Sequence, residues 1–405
     1  MSVVWTELIP YLIIAPLTAG VGWLTNLLGI KMMFYPVNFV GIGQFFGWQG
    51  IIPRLRIRLI RNLVNMSVAK ICSPKELVAV LDDGDSVRYI QEMIGPHIND
   101  WIEDVLVEEN VQSWNYAPDM VKRAVFSKVQ DKLPDVARGI LKEFGDRADH
   151  LVDFTAIAES QVRDNPEVLN ELFLRCAGNE LRFVIRSGLL FGFPLGCIQA
   201  LCWYLFPHIW VLPAFGVFVG AGTNWIALKM IAHPAEAKMI GPFKIQGLYL
   251  RRQQEVSRDF AEVFTTQFFS PKAFVDYLWG GPNSMEVHRI VNRHVTRALN
   301  KNMLGKIAAQ LAVSPEAFRD LKKKSVEYTA GRIIERIDNP EANQQLAKPI
   351  IDLICKRMAA LKPKEFQQLL LPAFEQDQLL VVLLGGVLGG LVGFAQLVWL
   401  FGVSL

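Results

Sequence analysis

The sequence predicts an all-α integral membrane protein with four transmembrane helices. They arise from tandem duplication of a unit that runs span, helical cytoplasmic domain, span. Three observations carry this reading. First, 51% of the 405 residues are apolar although 20% are charged, and the charges and the long apolar runs occupy different stretches. Second, four runs reach the roughly 20 residues needed to cross the hydrocarbon core. Third, a set of Gly, Thr, Asn, Lys and Pro positions recurs at one fixed offset, the mark of an internal repeat.

The first run, Leu8 to Phe34, is expected to persist as a span. Met1 to Glu7 lacks the basic residue that opens a cleavable signal sequence, and the run is too long for one. The others are Gly188 to Phe206, Ile209 to Ala232 and Leu379 to Phe401. The chain therefore divides into transmembrane helix 1 (1–34), helical domain A (35–187), transmembrane helix 2 (188–206), an outer turn with transmembrane helix 3 (207–232), helical domain B (233–378) and transmembrane helix 4 (379–405). All 42 Lys and Arg lie within Lys31 to Arg186 and Lys229 to Lys364. Orientation is set by the basic residues nearest the spans: Arg54, Arg56, Arg58 and Arg61, Arg182 and Arg186, Lys362 and Lys364. Both domains are expected to be cytoplasmic and both termini outside.

The repeat begins at Val21-Gly22, where Thr25-Asn26, Lys31 and Pro36 recur as Thr223-Asn224, Lys229 and Pro234 at an offset of 198 (Asn26 to Asn224). After a one-residue deletion near Gly47 the offset becomes 197. It then links Gln49-Gly50 to Gln246-Gly247, Arg54 to Arg251, Ser73-Pro74-Lys75 to Ser270-Pro271-Lys272, Pro118 to Pro315 and Pro166 to Pro363, and it still holds at Gln199 and Gln396. Two spans per copy make the repeats parallel, related by an axis along the membrane normal. Within the domains Ile60, Leu63, Val64, Val68 and Ile71 fall on one helix face. Ser73-Pro74-Lys75-Glu76, Ser270-Pro271 and Ser314-Pro315-Glu316 read as helix starts with a capping Ser and Pro at the first helical position.

Several residue sets are candidates for function. Thr25, Asn26 and Lys31, with Thr223, Asn224 and Lys229, place amides inside hydrocarbon, where each needs a protein partner or enclosed water. They read either as a polar site or as inter-helix glue, and the two lysines as side chains reaching the headgroups. Gly188, Gly192 and Gly196, repeated as Gly385, Gly389 and Gly393, form a small-residue ladder for close helix packing, with Gln199 and Gln396 three residues further along nearly the same face. The Thr-Asn faces of spans one and three are expected to pack on these ladders, with Gly192 and Gly196 bracketing the depth of Asn26. Gly41-Ile42-Gly43-Gln44-Phe45-Phe46-Gly47-Trp48 reads as an interfacial turn with aromatics at headgroup level. Arg54, Arg56, Arg58 and Arg61 are a topology signal or an anionic-lipid contact. Asp82, Asp83 and Asp85 beside Gly84 read as a solvated turn.

A net charge of +3 creates no global field for nucleic acid. Five scattered cysteines without CxxC spacing fit reduced thiols. The six histidines form no metal-binding spacing, and no nucleophile elbow, phosphate loop or dinucleotide fingerprint is present. No cofactor and no enzymatic activity are expected.

Gly22-Trp23-Leu24-Thr25-Asn26, Gly29-Ile30-Lys31-Met32-Met33-Phe34 and Pro36 resemble the bacterial membrane-protein family grouped as domain of unknown function 445. That family shows a Gly, Thr-Asn, Ala-Ile-Lys-Met-Leu-Phe, Pro pattern. Gly220 to Pro234 carries the pattern again, departing at Ala232 where the pattern has Phe. The resemblance implies a bacterial inner membrane and brings no activity or ligand. The expected function is a scaffold, tether or lipid-facing interaction module, with membrane lipids and a cytoplasmic protein or second copy as partners. The alternative is a transporter or conduit with its site at the Thr-Asn motifs.

Overall fold

The computed structural model describes residues 2–43, 46–81, 87–89, 91–92, 95–97, 99–100, 103–104, 112–240, 243–298, 340–370 and 378–401. In chain order its main elements are α1 (Ser2–Phe34), β1 (Val40–Ile42), β2 (Phe46–Trp48), α2 (Ile51–Lys70), α3 (Pro74–Val80), α4 (Asp119–Asp146), α5 (Phe154–Asp164), α6 (Glu167–Leu205), α7 (Val211–Ala232), β3 (Lys238–Ile240), β4 (Phe243–Ile245), α8 (Gln253–Val263), α9 (Pro271–Gly280), α10 (Ser284–Ala298), α11 (Pro340–Ala359), α12 (Pro363–Leu370) and α13 (Gln378–Phe401). The start signal at Ser314-Pro315-Glu316 and the acidic turn at Asp82 to Asp85 lie outside the described residues.

Four helices, α1, α6, α7 and α13, are long and apolar enough to cross a membrane. Their exteriors expose Leu190, Phe193, Phe218, Val387 and Leu391, an apolar surface suited to lipid tails. Proline and the residue before it set several helix ends. Phe206 caps α6 just before Pro207, and α1 and α7 stop just before the cis bonds Tyr35–Pro36 and His233–Pro234. Helix α6 has 39 residues, about 58 Å at 1.5 Å per residue. It therefore continues unbroken through the boundary expected at 187/188, joining a polar stalk to a span.

The chain is helical, as expected, apart from two short hairpins among the described residues. The segment between α1 and α2 is a two-stranded antiparallel hairpin, with Val40 opposite Trp48, Gly41 opposite Gly47 and Ile42 opposite Phe46. A second hairpin pairs Lys238 with Ile245 and Ile240 with Phe243. The interleaved glycines are explained by contact. A Cβ on Gly41 would strike the Phe46 carbonyl and one on Gly47 the Phe39 ring, while Gly43 turns the chain at φ 66°. Three-residue strands are too short for alternation to be legible.

The Gln-Gly pairs that follow the hairpins also have a role. Gly50 N donates to Pro36 O at 2.9 Å and Gln49 Nε2 to Val37 O at 2.8 Å. Gly247 N donates to Pro234 O at 3.0 Å and Gln246 Nε2 to Ala235 O at 3.4 Å. Each pair pins the chain leaving a hairpin to the chain entering it.

The compact units cut across the two copies. One comprises 1–66, 161–260 and 358–405; the other comprises 67–160 and 261–357. Each is assembled from both halves of the sequence. In the second unit Phe154 meets Phe269 and Phe274 with ring centroids 5.2 and 6.1 Å apart. There too Asn283 Nδ2 donates to His150 O at 2.8 Å, and Arg357 pairs with Glu76 at 2.8 Å. Ser73 forms the expected capping box with Glu76, and Ser270 caps α9 through Ala273 N.

In the first unit the span helices pair antiparallel through small residues. A Cβ added at Gly22 would lie 2.6 Å from the Gly188 carbonyl oxygen, one at Gly192 would lie 2.8 Å from Ala19 Cα, and one at Gly196 would lie 2.7 Å from Ala15 Cα. Gly220 and Gly216 on α7 meet Gly385 and Gly389 on α13 in the same way, and Gly393 meets Leu212 and Pro213. The partners of the ladders are thus small residues and backbone. Asn26 lies beyond the ladder, at Val184, and is not bracketed by Gly192 and Gly196. Antiparallel travel explains the shift: a step of one turn toward the C-terminal end of α1 is a step of one turn back along α6.

Gly188→Ala should lower the thermal stability of the detergent-solubilised protein, the order of cost being about 1–3 kcal/mol for overpacking. Gly20→Ala, where a Cβ meets nothing within 4 Å, should be neutral or stabilising. Melting midpoints followed by circular dichroism check both.

Candidate functional site

The intramembrane polar motifs were the sharpest sequence candidates, and both are buried against the partner helix. Asn26 Nδ2 donates to Val184 O at 2.6 Å, and Asn224 Nδ2 donates to Val381 O at 3.1 Å. The same contact is therefore made by each helix pair. The Val184 carbonyl also accepts from Ser187 Oγ at 2.7 Å. Thr25 Oγ1 bonds its own helix at Gly22 O, 3.1 Å away. The amide oxygens of Asn26 and Asn224 and the hydroxyl of Thr223 are buried without a hydrogen-bond partner among the described residues. A Cβ on Gly29 would come within 3.9 Å of Asn224 Nδ2. This brings the second motif to α1, one turn from Asn26.

Deeper along the bundle, the structure gathers a polar cluster that the sequence only half disclosed. Gln199 Nε2 is 3.4 Å from Gln396 Oε1 and 3.5 Å from Leu212 O. Thr18 Oγ1 stands 2.6 Å from Gln199 Oε1 and 2.8 Å from Ile14 O, within donating reach of both. Thr18, Gln199 and Gln396 are all buried, and Ile14, Trp203, Leu212 and Leu397 form a buried apolar cluster at the same level. Thr18 was not among the sequence candidates. The available signal was its place seven residues before Thr25, two turns along the same face.

The basic candidates divide by helix face. Arg54, Arg58 and Arg61 are exposed, at the i, i+4, i+7 spacing of one face of α2. Arg56 turns elsewhere, is only partly exposed and donates to Pro53 O at 3.0 Å. Lys229 Nζ lies 4.6 Å from the centre of the Trp225 ring. Lys31 is exposed on an open groove of about 690 Å³, which Tyr35, Trp48 and Glu167 also line.

Comparison with models of known families, with curated proteins and with solved structures returned no match. The functional reading therefore rests on the geometry.

Two charged sites lie outside the motifs. Glu180, buried on α6, accepts from Arg252 Nη1 through both oxygens at 2.9 Å. In the second unit Glu143 on α4 gathers Arg293, His294 at 2.9 Å and Arg147 at 3.4 Å, and Arg147 also reaches Glu286 at 2.7 Å. This network ties the two halves of the sequence together. Burial alone would raise the Glu143 carboxyl. The hydrogen bonds from His294 and Arg293 and the charges of Arg293 and Arg147 outweigh it and hold the group below its ordinary value of 4.5.

A carboxyl held low contributes stability above its unfolded pKa and loses it as pH falls through the folded value. Glu143→Gln should therefore melt lower than the wild type at neutral pH, by under about 1 kcal/mol for a partly solvated pair. The gap should stay constant down to about pH 4.5 and close below it. Melting of both proteins across that range checks the sign.

Proposed function

We propose that the chain is a non-enzymatic scaffold or tether of the bacterial inner membrane. Its four spans form a fixed anchor, and its helical cytoplasmic part presents interaction surfaces to a protein partner, a second copy or lipid. In this reading the two copies are parallel repeats, both termini face outward, and the family resemblance holds through the Thr-Asn motifs.

The observation that carries the reading is how the polar and small residues of the spans are used. Glycine meets backbone at successive turns of both helix pairs, leaving no space even for a methyl group. The amides of Asn26, Asn224 and Gln199 donate to carbonyl oxygens across helices. Such contacts hold a bundle in one arrangement. A conduit instead needs polar groups turned to a path.

One observation favours the second reading, a transporter or conduit. The orphaned oxygens of Asn26, Asn224 and Thr223 are acceptors of the kind that hold a cation or water within a membrane. The double variant Asn26→Ala, Asn224→Ala separates the readings. Under the scaffold reading it melts slightly lower, each substitution costing about 1 kcal/mol or less, and still restores function to a strain lacking the gene. Loss of complementation at normal accumulation in the membrane would transfer the function to the motifs.

Orientation is tested by single cysteines introduced at Tyr116, Met285 and Trp210, all exposed, in a background free of the native cysteines. Tyr116→Cys and Met285→Cys should react only when a membrane-impermeant thiol reagent reaches the cytoplasmic side. Trp210→Cys should react from outside in intact cells.

A further inference from the structure

The two copies differ at the inner ends of their first spans. In the second copy the charges satisfy one another: Lys229 lies over Trp225, and Lys364 pairs with Glu236 at 3.2 Å. At the corresponding positions of the first copy Trp225 is replaced by Leu27, Lys364 by Glu167 and Glu236 by Asn38. Lys31 therefore has no aromatic one turn back, and the charge across from it is a carboxylate. Neither side chain, Lys31 or Glu167, carries a hydrogen bond or ion pair among the described residues, and both line the 690 Å³ groove.

Apart from Asn38, the rest of that groove is lined mainly by apolar and aromatic side chains. Leu28 and Met32 come from the last turns of α1, and Tyr35, Val40 and Trp48 from the hairpin and its approach. Beside it the hairpin exposes Val40, Ile42 and Phe46 to 63%, 86% and 81%. Aromatic and aliphatic residues so exposed at the end of a span belong at the headgroup boundary, where an apolar body meets hydrocarbon and polar tips meet water.

We propose that this groove is a binding site for one phospholipid of the surrounding leaflet whose headgroup carries both a phosphate and a primary ammonium, as phosphatidylethanolamine does. Lys31 binds the phosphate, and Glu167 accepts a hydrogen bond from the ammonium. An acyl chain lies along Leu28 and Met32, and the hairpin closes the site from the cytoplasmic side. An anionic headgroup without an amine meets Lys31 but is repelled by Glu167, so the carboxylate makes the site selective. Among the described residues the second copy lacks the selecting carboxylate, since Lys364 stands at the position of Glu167 and pairs with Glu236. The inference deepens the lipid-facing part of the proposed function and rests on that reading only for the leaflet.

The test is native mass spectrometry of the full chain in detergent. Equal amounts of phosphatidylethanolamine and phosphatidylglycerol with identical acyl chains are added, and the retained one-lipid adduct is measured. The wild type should retain phosphatidylethanolamine about fivefold more, the size expected of one partly exposed ion pair. Glu167→Gln should abolish the preference, and Glu167→Lys, which copies the charge of Lys364, should invert it toward phosphatidylglycerol. Lys229→Ala should leave it unchanged. Equal retention by the wild type, or a preference that survives both Glu167 variants, overturns the site. That result with the expected thiol labelling of Met285→Cys and Trp210→Cys removes the lipid site alone. A failure of the labelling itself removes the orientation on which the wider proposal stands.

Discussion

In a bilayer core there is no water to satisfy a backbone or side-chain polar group, and lipid tails are as apolar as the helices, so burying apolar surface gives helices little reason to meet. What remains is close contact and hydrogen bonding, and the span bundle depends on both. Gly22 against Gly188 and Gly220 against Gly385 bring backbones to a separation that no other residue permits. At that distance an amide one turn further along reaches the carbonyl of the opposite helix, as Asn26 does at Val184 and Asn224 at Val381. The glycines and asparagines thus form one device: the first set the spacing that makes the second reachable. The Gln199–Gln396 contact then links one helix pair to the other.

The two helix pairs share this device and differ in what surrounds it. Both pairs keep the glycine contacts, the Asn-to-carbonyl bond, the cis X-Pro bond after the first span and the Gln-Gly latch of the hairpin. Around them the two pairs differ. Ser187 shares the Val184 carbonyl with Asn26, and Leu384 stands at its equivalent position. Thr25 bonds its own helix while Thr223 has no hydrogen-bond partner among the described residues.

The second unit obeys the ordinary rules of water. Two of its helices, α3 and α9, start with a Ser cap and Pro at the first turn, and it is joined by aromatic clusters and by ion pairs such as that of Glu143 with Arg293 and His294. Each of those pairs takes one partner from each half of the sequence. Neither half therefore supplies a complete set of partners in this unit.

The spans, the tandem periodicity and the helix starts at Ser73 and Ser270 were legible in the sequence because each depends on local chemistry: run length, spacing, and a capping hydroxyl before a proline. The glycine ladders were legible for the same reason, since small residues at four-residue spacing have one common use. The depth at which each meets its partner helix was not. That is set by the antiparallel register of two helices more than a hundred residues apart, and it placed Asn26 at Val184 and not between Gly192 and Gly196. The hairpins escaped because three residues are too few for alternation to register. Thr18 escaped because a threonine in an apolar helix bonds its own backbone equally well, so only the arrival of Gln199 gives it a second role. The regrouping of the two copies into shared units is likewise a tertiary decision, because a repeat records which segments are alike and carries no term for which of them pack together.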